Sequence, residues 1–269
     1  MQAFQRSRGL VITGEVDELT WSRLVEAGWR LGQRLLYLAH PYLRGDDVAE
    51  LQVRLAQLGF NPGRIDGIFG PILEDAIIEF QRNCAITVDG TLTRQTLSEL
   101  NRVSPAATSR NLVTDARDLA GFNAEHYGPI IICGSNPLRD LLTRALEIHH
   151  QTLSLENASA EEVATIANDK KAVVVLSVDD LATIDGVHLH YWASYRSYSR
   201  RGEKLASAVA ARLSQKEHST RVELTGMALP ILRETQMTTL HIEIGAHTQS
   251  GLNDLTNAIS AVVLEVIHR

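Results

Sequence analysis

Two pairs of residues in this chain could hold a metal. His188 and His190 stand two apart, and so do His241 and Glu243. Residues two apart on a strand share a face, so each pair offers two donors together. A hydrolytic zinc centre needs neutral imidazoles, a carboxylate and one open position for water. The ion lowers the pKa of that water, and a nearby carboxylate moves its proton. A centre built from His190, His241 and Glu243 is conceivable, but only if the two pairs face each other. Strand histidines with alternating neighbours are more often surface residues, so the expectation is no bound metal. His149 and His150 close a helical stripe, where imidazoles complement the helix dipole. Cys133 follows three isoleucines in a buried-strand pattern and reads as an inert thiol. Ser177 and Asp179 lack the Gly-x-Ser-x-Gly elbow of a serine hydrolase.

The elements that must position these residues form two regions. The chain has 269 residues, 44% hydrophobic and 22% charged, a globular composition at a length that suggests two domains. Its net charge of −6 carries no basic field for nucleic acid. Two cysteines cannot build a disulfide framework. With no basic and apolar leader at the start, the expectation is a cytoplasmic protein.

The second region, 128–269, alternates strands and helices, the signature of an α/β domain with a twisted, mostly parallel sheet. Strands are predicted over 129–133, 152–156, 172–178, 186–192 and 238–245. Helices are predicted over 137–149, 197–213 and 253–267, and another runs to Asp169 behind a Ser159-to-Glu162 capping box. The stretch 102–127 reads as a linker, Ser/Ala/Pro/Thr/Asn-rich at its start. Tyr191, Trp192, Tyr195 and Arg196 cluster as a candidate interface, since aromatic and Arg residues anchor interfaces.

The first region contains a repeat. At an offset of 76, Phe4-Gln5-Arg6 falls on Phe80-Gln81-Arg82, and Gly14, Thr20, Ser22 and Leu24 fall on Gly90, Thr96, Ser98 and Leu100. The second copy, 41–101, has three predicted helices. Asp46 or Asp47 caps the first, Gly59 ends it, and Pro71 opens the second. Asp66-Gly67 and Asp89-Gly90 are tight turns. The first copy, 1–40, lacks the first helix and places Trp21 and Trp29 on its apolar face. The missing helix leaves core to be covered, by a second chain among other candidates. Asp66, Gly67, Phe69, Gly70, Gln81, Asp89 and Gly90 carry a resemblance to the peptidoglycan-binding-like repeat of bacterial wall enzymes. As single residues they read first as turn and core devices. The family's Thr and later Gly are replaced by Leu73 and Thr93.

The second region resembles the zinc-dependent N-acetylmuramoyl-L-alanine amidases. The resemblance is carried by Ile130 to Gly134, Glu162 to Asn168, Val173 to Ser177, Gly186-Val187 and Leu240 to Gly245. It implies a His after the first strand, where Ser135 stands. It implies a Glu in the next loop, which is deleted because Pro137 starts the helix. It implies a His at the end of the core strand, where Asp179 stands. The catalytic Glu is kept as Glu243. With its ligand slots degenerate, the domain reads as a pseudo-amidase in which Glu243 is a vestigial base; the alternative is an amidase with a rebuilt zinc site.

Together the two regions resemble the CwlM-type proteins of actinobacteria, with Ser7 to Val11 and Trp29 to Gly32 adding to the match. That resemblance implies a cytoplasmic, non-catalytic regulator of peptidoglycan biosynthesis at the membrane periphery, controlled by a Ser/Thr kinase. It would bind the enolpyruvyl transferase MurA or the lipid-precursor flippase, with muropeptide a further ligand of the repeats.

Overall fold

The computed structural model describes residues 1–103, 128–134, 136–193, 198–214, 221–245 and 249–267. The chain divides into two compact units, Met1–Arg6 with Val11–Gly121, and Ser7–Leu10 with Phe122–Arg269. The linker reading therefore lies outside the described residues, except that Arg102 and Val103 belong to the preceding helix.

The first unit is helical: α1 (Gln2–Arg8), α2 (Glu18–Ala27), α3 (Asp46–Gln57), α4 (Pro71–Asn83) and α5 (Arg94–Val103). Its core is Val48, Leu51, Leu55, Phe69, Leu73, Ile77, Phe80, Leu92 and Leu100, joined by Leu36 from upstream. Leu36 also bridges Leu92. The core of the second repeat thus reaches back across the boundary expected at residue 40.

The repeat is visible in the hydrogen bonds. Buried Gln81 donates from Nε2 to Asp89 Oδ1, Thr91 O and Thr96 Oγ1, and its Oε1 accepts from the Asp89 and Gly90 amides. Buried Gln5 repeats this one offset earlier. It donates to Thr13 Oγ1, Glu15 O and Thr20 Oγ1, and accepts from Gly14 N. Gln52 does the same for the other Asp-Gly turn, donating to Asp66 Oδ1 and Ile68 O and accepting from Gly67 N. Each glutamine latches a turn whose glycine has positive φ. Phe69 is fully buried and Gly70 precedes Pro71 at the start of α4. The motif residues thus serve turns and core.

One expectation needs correction. Neither Asp46 nor Asp47 caps α3; Gly45 stands at the N-cap and both aspartates lie in the first turn. Asp47 instead takes a two-pronged ion pair from Arg34, at 2.7 and 3.0 Å. Trp21 and Trp29 are 62% and 37% exposed, and Trp29 lies under the Arg34 guanidinium.

The second unit is a six-stranded sheet of order β2-β1-β3-β6-β4-β5. Its strands are β1 (Ile130–Gly134), β2 (Thr152–Leu155), β3 (Val174–Asp180), β4 (Val187–Trp192), β5 (Val222–Met227) and β6 (Thr238–Ile244). All neighbours are parallel except β4 against β6. The helices are α6 (Pro137–Glu147), α7 (Ala160–Asp169), α8 (Arg200–Ser214), α9 (Pro230–Glu234) and α10 (Gln249–Ile267). Side chains of α6, α8 and α10 cover one sheet face with Ile132, Leu176, Leu189 and Ile242. Side chains of α7 and α9 cover part of the other with Ile131, Val175 and Trp192. Central strands buried on both faces explain the nearly unbroken Ile/Val runs. Ser159 closes the expected capping box with Glu162, and Asn136 caps α6.

Strand β5 and helix α9 have no counterpart in the sequence reading. β5 is an edge strand with Leu224 38% exposed, so it lacks the apolar run that announced its neighbours.

Candidate functional site

On the face shared with α7 and α9, the register builds two polar rungs across the sheet. One reads Asp179 on β3, Glu243 on β6, His188 on β4 and Glu223 on β5. The other reads Cys133, Ser177, His241, His190 and Thr225. Residues paired across strands point to the same side, so the His188/His190 and His241/Glu243 pairs face one way. This corrects the expectation of surface histidines: His190 and His241 are each 5% exposed. The rungs lie toward the carboxyl ends of β3 and β6, where open α/β sheets bind ligands.

Glu243 is the hub. Its Oε2 lies 3.1 Å from His190 Nε2 and 3.7 Å from His188 Nδ1, and its Oε1 is 3.6 Å from His241 Nε2. Hydrogen bonding to His190 first, and to His241 second, holds the Glu243 carboxyl far below the usual carboxylate range despite partial burial. The next shell is ordered too. His188 Nε2 is 3.5 Å from Glu223 Oε2, and His241 Nδ1 is 3.1 Å from Ser177 Oγ. The His190 and His241 rings stack at 5.7 Å.

The expected zinc slots fare differently. Ser135 lies outside the described residues. Asp179 sits at the end of β3 beside Glu243 in register, its carboxylate 62% exposed and 3.9 Å from His241 Nε2. Helix α6 begins at Pro137 behind the Asn136 cap. Of the positions the resemblance singles out, the described residues place Asp179 and Glu243 side by side in register.

Cys133 is 5% exposed, and burial pushes its thiol up to about 11, outweighing the hydrogen bond from Ser177. It is not poised as a nucleophile. Ser177 is also buried, at mid-strand, with its hydroxyl on His241. Of the candidate interface residues, Trp192 is 2% exposed in the core and Tyr191 is half-buried. That corrects the surface reading for Trp192; Tyr195 and Arg196 lie outside the described residues. Glu223 enters the site on β5, a strand without an apolar run in the sequence, and His188 joins it beside the conceivable trio of His190, His241 and Glu243. The signal was a His-x-His strand opposite a His-x-Glu strand, legible only once the two are known to be neighbours.

Residues 44–100 match the family described as "Putative peptidoglycan binding domain". The chain is 30% identical, over 91% of its length and 70% of the relative's, to "N-acetylmuramoyl-L-alanine amidase CwlM" of Mycobacterium tuberculosis. The chain belongs to the CwlM family. A spore cortex-lytic enzyme of Oceanobacillus iheyensis is 37% identical over 31% of this chain and 29% of its own length. Among solved structures, an N-acetylmuramoyl-L-alanine amidase from Clostridium difficile matches 52% of this chain and 97% of its own, at 13% identity and a TM-score of 0.41. The amidase Ami1 from Mycobacterium smegmatis matches 54% and 99%, at 11% identity and a TM-score of 0.40. No helix among the described residues is long and apolar enough to cross a membrane.

Proposed function

We propose that this member of the CwlM family is a non-catalytic regulator of peptidoglycan biosynthesis that works by binding other proteins in the cytoplasm. The observation that carries the reading is the state of Glu243. In a working amidase this acid would serve a metal-bound water. Here its carboxylate is tied to His190 at 3.1 Å, and the slot beside it in register holds an aspartate. A carboxylate held this firmly ionised is a weak proton acceptor. The MurA-type transferase or the lipid-precursor flippase is the proposed partner, muropeptide the proposed ligand of the repeats, and a Ser/Thr kinase the proposed control. The exposed Trp21 and Val25 on α2 supply a surface for a homodimer or for a partner. Turnover of muramyl-peptide, with and without added zinc, tests the regulatory reading. We expect none beyond that of Glu243→Gln; turnover that this substitution abolishes would overturn it.

The second reading is an amidase with a rebuilt centre. The convergence of His188, His190 and Glu243 favours it, and so does the likeness to the M. tuberculosis amidase CwlM. The same assay separates the two.

A further inference from the structure

We infer that His188, His190 and Glu243 form a binding site for a first-row divalent transition ion, zinc being the best fit, on strands β4 and β6 and not at the amidase slots. One donor atom from each of the three lies within 4.8 Å of the others. Neighbouring ligands on a tetrahedral zinc with bonds of about 2.0–2.2 Å are roughly 3.3–3.6 Å apart. Glu243 Oε2 lies 3.1 Å from His190 Nε2 and 3.7 Å from His188 Nδ1, so these donors bracket the spacing that zinc imposes. The backbone fixes them there: His188 is paired with Glu243 across an antiparallel ladder, and His190 is the next residue on the same face.

The second shell supports a metal. A metal-bound imidazole usually donates its other ring N–H to a carboxylate or similar acceptor, which fixes the ring and raises its basicity. Glu223 stands 3.5 Å from the far nitrogen of His188. His241, behind the site, is held by Ser177 on one nitrogen and turns the other toward Glu243 Oε1 at 3.6 Å. Imidazole and carboxylate donors suit zinc and its neighbours over magnesium or calcium, which take oxygen ligands. Glu243 acting as a ligand is not free to act as a base, so the inference stands independently of whether the chain hydrolyses anything.

The test uses the whole chain, stripped with a chelator and dialysed. Zinc is then titrated against a chromophoric competitor, and cobalt is bound for its visible spectrum. We expect one equivalent of zinc and a cobalt spectrum of four-coordinate intensity. His190→Ala should abolish both. Glu223→Gln, on the exposed edge strand, should weaken zinc binding about ten- to a hundredfold while leaving the circular dichroism spectrum intact. His149→Ala serves as a control and should bind as the parent does. Absence of stoichiometric zinc in the folded protein would overturn the inference. So would binding unchanged in a folded His188→Ala or Glu223→Gln variant, or binding lost in His149→Ala. Zinc binding without hydrolysis leaves both this inference and the regulatory reading standing; zinc-dependent hydrolysis overturns only the regulatory one.

Discussion

Gln81 makes five hydrogen bonds from a fully buried amide. Replacing it with Leu keeps the bulk and strands the Gly90 amide with no acceptor. An unsatisfied buried group costs about 1–3 kcal/mol. Gln81→Leu should therefore lower stability by about 2 kcal/mol, read from the urea midpoint. Gln81→Glu tests the geometry separately, because the carboxylate keeps the acceptor and loses the donors. Cys133 gives a second prediction at this scale. Burial pushes its thiol up to about 11 in the folded chain, so at mildly alkaline pH the thiolate fraction is smaller in the folded chain than in the unfolded one. Iodoacetamide should label Cys133 only after denaturation, as peptide mass spectrometry can show. Rapid native labelling would contradict its burial.

At the scale of elements, the last residue of β1 is the constrained one. Gly134 has φ of +135°, and a Cβ there would collide with the Val178 carbonyl on β3. Gly134→Ala should cost about 2 kcal/mol or more, the order expected for forcing a side chain into such backbone, and differential scanning calorimetry would record it. Much at this scale was legible in the sequence. The core strands β1, β3 and β6 were announced by β-branched runs, α6 and α7 by Asn136-Pro137 and the Ser159 capping box, and the repeats by their offset. The site itself was not, because a sequence shows that His188 and His190 share a face but not which strand lies beside them. The adjacency of β4 and β6 is a property of sheet order, set by packing across the whole domain. β5 was silent for a related reason: an edge strand with one open face needs no continuous apolar run.

For the whole molecule, the apolar surface of the first repeat is the feature with consequences outside the chain. Val11, Val16, Trp21 and Val25 are each at least half exposed. Scattered apolar residues are ordinary, but Trp21 and Val25 sit four apart on α2 and form one ridge. If the ridge is the proposed contact surface, sedimentation velocity should show a concentration-dependent dimer that Trp21→Glu converts to monomer. A parent chain that stays monomeric would reserve the ridge for a different protein.

The two polar rungs also bear on how the domain finds its strand order. The β4–β6 pair is the one antiparallel pair among the described strands. Sliding it by a single residue would turn every side chain to the opposite face. His188 and His190 would then be driven among the aliphatic side chains of α8 and α10, and Leu189 would surface beside Glu243. Each imidazole buried without a partner costs about 1–3 kcal/mol. The cluster therefore works as a proofreader during folding: the chain can misthread β4 only by paying twice in imidazole and once in leucine, whether or not an ion ever arrives.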